Sequence, residues 1–425
     1  MTAQALNLRQ RRGACPGLSA PMATGDGLLV RLMPLGTIPL AAFSKLCTAA
    51  RQHGNGVIEI TARGSIQVRG INAASAPRFA ATVAALGVAA EDGIPIHSCP
   101  LSGLDPEEIL DASPLAADLR RALAQTSLAA RLAPKVSVAI DGGGGLSLDE
   151  LAADVRLGAE TINNGAAFRV GVGGDAARAM QLGVVATNGG VAAAMRLLEV
   201  IAQRGRDARA RDILAAEGVA PFRSVLTDLL IGNVSLPAAR RCGDAIGLHA
   251  LRDGSLTYGL GLAFGHSDAA ALERLTEAGG TAGAIGLRAA PGRVLMIVGL
   301  APEMSSSFLA AAERLGFIVR ADDARRHVVA CAGAPICSSA HIAARDIAPA
   351  IAAPHLGRSF AIHISGCAKG CAHPAPAALT IVGTPSGCAL IADGSTRDVP
   401  YALVPANELP AAIANFARER EASHV

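Results

Sequence analysis

Two hydrophobic periods alternate in a fixed order along the first seventy or so residues. From Gly27 to Leu32 the chain is short and apolar, as a strand requires, and from about Leu40 to His53 apolar residues recur at spacings of three and four, which predicts an amphipathic helix. Two further strands are predicted over Val57–Thr61 and Ser65–Ile71, joined by a tight turn. The same order returns 229 residues later without a gap: Gly36, Gly54 and Gly70 are answered by Gly265, Gly283 and Gly299. Between those glycines Ala41, Phe43, Leu46 and Ala49 are answered by Ala270, Leu272, Leu275 and Ala278. Self-similarity at long range marks duplication.

A second, weaker repeat follows each of these. KVSVAIDGGG at 135–144 is similar to SFAIHISGCA at 359–368, which gives the order A–B–A′–B′ with a linker over Leu230–Arg241. The expected units are 1–95, 96–230, 231–320 and 321–425, in a mixed α/β fold of the α+β class. Pseudo-twofold duplication leaves an interface cleft able to hold a large ligand. The run Gly142–Gly145 reads as a turn, because it lacks the Gly-Lys-Ser/Thr ending of a phosphate loop. DPEEI at Asp105–Ile109 reads as a helix start, with Asp capping and Glu108 at the capping-box position.

Composition narrows the classes. The 425 residues are 51% hydrophobic and 17% charged, with no run of about 18 apolar residues to span a membrane and a polar, basic start unlike a signal peptide. A net charge of +3 and only 3% aromatic residues argue against a nucleic-acid partner. Nine cysteines without an export signal fit a reducing cytoplasm, where disulfides are not expected.

Four of those cysteines form a pattern: Cys331 and Cys337 as C-x5-C, then Cys367 and Cys371 as C-x3-C in ISGCAKGC. Four soft thiolates from two loops suit an iron–sulfur cluster. Zinc is the nearest alternative, though its structural knuckles usually place cysteines in tight pairs and here no H-x3-H partners them. Four unrelated buried thiols remain a third reading. Only the B′ copy has the quartet, so one cluster is expected.

In ITARGSIQVRGI, Gln67 and Arg69 share one face of a strand and Arg63 lies at the preceding turn. Such a hairpin can grip carboxylates or small oxyanions, or simply form a solvated face. Lys135 adds a cation at the start of the B strand, and Lys369 lies between the last two cysteines. The equivalent turn in A′, Ala289–Arg293, shows no comparable arrangement. Arg9, Arg11 and Arg12 form a basic arm that could close over an anionic ligand. His97, His327, His363 and His373 lie near the cysteine loops or their first-copy counterpart, where each could bind iron, move a proton or serve structure alone.

Together, the duplication, the arginine hairpin and the cysteine pattern resemble the siroheme-dependent sulfite and nitrite reductase superfamily. Within it the chain is most similar to the precorrin-3B synthases of aerobic cobalamin synthesis, through RRGACPGLSAPMATGDGLLVRL (11–32), GNGVIEITARGSIQVRGI (54–71), PLSGLDPEEI (100–109) and HISGCAKGCAHP (363–374). The resemblance implies a pseudo-twofold nitrite/sulfite reductase-like fold with ferredoxin-like half-domains. It implies an O2-dependent monooxygenase that converts precorrin-3A to precorrin-3B by C20 hydroxylation and γ-lactone formation. It also implies a [4Fe–4S] cluster on Cys331, Cys337, Cys367 and Cys371, a mononuclear non-haem iron and an NADH-linked electron donor. Arg63, Gln67, Arg69, Lys135 and Lys369 become candidate contacts for a tetrapyrrole ringed by carboxylates. Under the alternative, a siroheme-dependent reductase, Cys371 would also bridge cluster and haem. Ser137 stands where the reductases carry a second cation, which favours the synthases.

Overall fold

The computed structural model describes residues 16–88, 93–163, 165–232, 242–352 and 360–422; the basic arm of Arg9, Arg11 and Arg12, Cys15 and most of the linker lie outside them. The elements of the first copy fall where the hydrophobic pattern puts them. Strands Gly27–Leu32, Val57–Ile60 and Ile66–Ile71 flank the helix Leu40–His53, whose Phe43, Leu46, Ala49 and Ala50 are buried. In the second copy the strands Leu256–Gly261, Gly286–Ala290 and Val294–Leu300 flank the helix Ala269–Thr281. Matched glycines share conformation: φ is 79° at Gly36 and 87° at Gly265, and 72° at Gly70 and 88° at Gly299. Any larger residue there would be strained, which explains why these positions show the repeat without a gap.

The two copies are not separate sheets. His266–Asp268 pairs with Val57–Ile60 of the first copy, and Ile38–Pro39 pairs with Gly286–Ala290 of the second. Each sheet of five strands is thus completed by an edge strand from the other copy. Behind them the two helices pack together, with Thr48 donating to Glu273 at 2.7 Å, and one continuous hydrophobic core serves both copies. The turns between the last two strands of each copy meet as well, through an Arg63–Pro291 bridge and a hydrogen bond from Gly292 N to the Ala62 carbonyl at 3.0 Å.

The B and B′ sheets repeat one topology. In B, Ile96–Ser98, Val138–Asp141 and Ala153–Ile162 run parallel before the sheet turns antiparallel; in B′, Val328–Ala330, Ile362–Ser365 and Ala377–Thr384 do the same. The register matches the sequence repeat, since Val138 and Ile362 hold the same place. DPEEI differs from expectation: it forms turns, and the helix begins only at Ser113. Its acids serve a loop instead. Asp105 accepts from Gly145 N and Glu107 N, both at 2.8 Å, and Glu108 accepts from Gly103 N at 2.9 Å. Asp105 thus ties its own turn to the glycine loop, while Glu108 closes the turn back to Gly103.

Candidate functional site

Parallel pairing explains why the four cysteines converge. Ala330 lies opposite Ile364, so Cys331 and the Gly366–Cys367 turn leave neighbouring strands at the same carboxyl edge. The amide of Gly366 donates to Cys331 Sγ at 3.0 Å, and the amide of His341 ties the two loops by donating to the Gly366 carbonyl at 2.8 Å. In the first copy Cys99 stands in the place of Cys331, but Gly143 and Ser147 occupy those of Cys367 and Cys371. There a carboxylate replaces sulfur as the fastener: Asp141 accepts from Gly143 N and Leu148 N, each at 2.8 Å.

All four sulfurs are free thiols within one electrostatic neighbourhood. Burial raises the Cys331 thiol, against the pull of the Gly366 and Gly333 amides, with Cys367 and Cys337 raising it further. Burial likewise raises the Cys371 thiol, with Cys331 adding to the effect and Arg69 opposing it. Four thiolates crowded this way need a cationic inorganic core to neutralise them. Structural zinc would need all its sulfurs about 2.3 Å from one point, whereas soft thiolates drawn from two separate loops suit the several irons of a cluster. The donor set fits a polynuclear iron–sulfur core.

The N-terminal copy supplies the remaining wall. Its hairpin turn brings Gly25 against Cys337: a Cβ at Gly25 would lie 2.4 Å from Sγ. Ser338 fastens the contact, its amide and hydroxyl both donating to the Gly25 carbonyl at 2.9 and 3.0 Å.

A cleft of about 460 Å³ opens beside the cluster loops, lined by Cys331 and Cys371 on one side and by Arg63, Gln67, Arg69 and Lys135 on the other. A second cavity of about 500 Å³ adjoins it and shares Met33, Arg63, Ser65 and His97. Arg63 and Lys135 are exposed at the cleft wall. Arg69 is committed elsewhere: its Nε and Nη2 reach Asp26 at 2.7 and 2.8 Å, and Nη1 reaches Glu59 at 3.3 Å. Gln67 is buried with its amide nitrogen donating to Glu59 at 3.0 Å and its oxygen accepting from Arg31 at 2.9 and 2.6 Å. Lys369 does not line the cleft; it donates to Ser339 at 2.9 Å across the cysteine loops.

Residues 20–86 match the family described as the nitrite/sulfite reductase ferredoxin-like half domain, and residues 90–230 the nitrite and sulphite reductase 4Fe-4S domain. The fold is that of the Mycobacterium tuberculosis NirA protein, with a TM-score of 0.73 at 20% identity over 92% of this chain and 80% of that one. A ferredoxin–nitrite reductase of Synechococcus elongatus is 24% identical over 85% of the chain and 77% of its own length. A precorrin-3B synthase of Sinorhizobium is 40% identical over 96% of the chain and 88% of its own length. The chain belongs to the precorrin-3B synthase family. It is an oxidoreductase with the duplicated architecture of the nitrite and sulfite reductases, and no described helix is long and apolar enough to cross a membrane.

For a precorrin-3B synthase family member, several cleft residues lay beyond sequence reasoning. Arg293, in the A′ turn that shows no arrangement comparable to the arginine hairpin, lines the cleft and donates to the Ala372 carbonyl at 3.3 Å, because the two turns meet tip to tip. Arg209 reaches the cleft from just before the helix Ala210–Glu217, held to Asp154 by Nε and Nη2 at 2.9 and 2.8 Å. Arg345, behind the lining, comes from the helix Ala344–Ile351 and donates to the cleft residue Glu59 at 3.1 Å. Ser137, whose lack of charge favoured the synthases, is fully buried.

Of the histidines, His97 and His373 line the cleft, whereas His363 is buried behind it and His327 ends a short turn away from the lining. Burial, then Arg63 and Arg120, lower His97 to about 4, so it is neutral at physiological pH. Its Nε2 is buried without a hydrogen-bond partner among the described residues.

Proposed function

We propose that the chain hydroxylates precorrin-3A at the C20 meso carbon with O2, a γ-lactone forming from the ring A acetate, to give precorrin-3B in the cytoplasm. One observation carries this reading: Cys331 and Cys371 of the quartet and the exposed cations Arg63 and Lys135 wall the same cleft, so a cluster held there and a bound polycarboxylate would share one space. The relative named as a precorrin-3B synthase supports the substrate class. In balance, one oxygen atom enters the ring and the other leaves as water, with two electrons and two protons from a donor that is NADH-linked by resemblance.

Cys331, Cys337, Cys367 and Cys371 would hold a [4Fe–4S] cluster, which when bound supplies electrons singly. The rest of the work is positioning. Arg63 and Lys135 pair with substrate carboxylates, each charge-assisted contact worth about 1.5–3 kcal/mol where water is excluded. Phe264, Ile60 and Met33 give the ring an apolar wall. Neutral His97 can accept a hydrogen bond from the bound macrocycle. The described residues offer no ligand set for the mononuclear iron that the resemblance implies.

The test is incubation of the purified, reduced protein with precorrin-3A and 18O2. One labelled oxygen in a lactone-bearing product supports the reading, and the absence of labelled product from cluster-replete protein overturns it. The exposure of Cys371 on the cleft wall also suits a siroheme bridge. That reductase reading requires strong visible tetrapyrrole bands in the protein before any substrate is added.

A further inference from the structure

Between the cysteine loops and the cleft lies a compact set of four charges: Asp26 and Glu59 against Arg69 and Arg345. All are largely removed from water, with side chains 0%, 16%, 7% and 12% exposed respectively. Arg69 holds both carboxylates, and Arg345 holds the second oxygen of Glu59. The formal sum is zero. Three chain segments meet here: the Gly25–Asp26 turn, the strands bearing Glu59 and Arg69, and the helix that follows the first cysteine loop.

The set also touches the sulfur site. Gly25, next to Asp26, packs on Cys337 Sγ. Arg69 shares the cleft wall with Cys331 and Cys371. The charges of Arg69 and Cys371 act on each other, as do those of Arg345 and Cys331. A charge buried this close to a redox centre is poorly screened, so it acts on the electron as it would on a proton.

We propose that Asp26, Glu59, Arg69 and Arg345 act as a charge-balanced positioning group that sets the reduction potential of the cluster, rather than as substrate contacts. The inference rests on the cluster reading above. A one-electron reduction adds one negative charge to the cluster. Each arginine therefore favours the reduced form and each carboxylate opposes it, and the pairing holds the potential between those limits. The same pairing explains why Arg69, though on the cleft wall, is not offered to a polyanion: its donors are already used by Asp26 and Glu59.

The experiment is a redox titration followed by electron paramagnetic resonance on whole protein whose iron and acid-labile sulfide have first been counted. Glu59→Gln removes a negative charge and is expected to move the midpoint potential upward. Arg345→Gln removes a positive charge and is expected to move it downward, while Arg345→Lys keeps the charge and returns the potential towards the parent value. Shifts of opposite sign support the proposal, since packing damage carries no such sign. Potentials that stay put, or move the same way in both glutamine variants, overturn it. Should Glu59→Gln fail to assemble, the Arg345→Gln and Arg345→Lys pair decides alone: a downward shift that lysine reverses supports the proposal, and any other result overturns it. Absence of a cluster from the parent protein would instead refute the underlying cluster assignment.

Discussion

Substituting Gly25 by alanine tests how the N-terminal copy shapes the sulfur site. The added Cβ would lie 2.4 Å from Cys337 Sγ and 3.1 Å from Ser339 Oγ, whereas ordinary contact begins at 3.4 Å. The sulfur or the turn must therefore retreat by about 1 Å. The turn is pinned on both sides, by the Asp26–Arg69 pair at 2.7 Å and by Ser338 on the Gly25 carbonyl at 2.9 and 3.0 Å. The sulfur yields. Overpacking of this kind costs about 1–3 kcal/mol in an ordinary core. At a metal ligand, a shift of about 1 Å is large against a metal–sulfur bond of about 2.3 Å, so it breaks the bond or distorts the core. Gly25→Ala is expected to lower iron and sulfide per chain and to change the paramagnetic spectrum, with unchanged far-ultraviolet circular dichroism. Gly158→Ala, where an added Cβ meets nothing within 4 Å, is the control. A Gly25→Ala protein with full iron content and the parent spectrum would refute the reasoning.

Other perturbations separate the roles of the cleft residues. Arg63→Ala is expected to reduce kcat/KM roughly 10- to 150-fold, from the loss of about 1.5–3 kcal/mol of charge-assisted binding, with little change in melting temperature. Arg69→Ala is expected to act mainly on folding, because it leaves buried Asp26 without its arginine while Glu59 keeps Arg345; breaking such a buried pair costs about 3–5 kcal/mol, measurable by chemical denaturation. Acid should destabilise the fold through His97, lowered to about 4, and His266, lowered to about 3 by burial and then Arg345. Both bind protons more readily when unfolded, so stability present above about pH 6.5 is lost as pH falls towards 4, at up to about 1.4 kcal/mol per pH unit for each histidine. His97→Gln should flatten the stability–pH curve over that window, and an unchanged curve would count against the buried neutral form.

Local order was legible in the sequence wherever one period decided it. The helix Leu40–His53 and the strand Gly27–Leu32 follow from spacing alone, and the glycines at 36, 70, 265 and 299 mark the repeat because their backbone allows little else. The cysteine quartet stood out by its spacing, and the parallel register of its strands brings the two loops to one edge. What escaped was set by distant partners. DPEEI has the signature of a helix start, yet Asp105 binds a glycine loop 40 residues away. Arg293 and Arg345 carry no local signal; only tertiary contacts bring the first to the cleft and the second onto Glu59. Gly25 looks like any turn residue until Cys337 is set against it.

The exchanged edge strands also impose an order on birth at the ribosome. The first sheet lacks its border until His266–Asp268 has been synthesised, so some two hundred nascent residues wait with an open rim. A cluster held by the proposed cysteines would be inserted later still, since that set extends to Cys371 and Gly25 of the already finished amino end packs against it. On that assignment, iron and sulfide would be needed only near the close of translation, after a long stretch with an unfinished sheet.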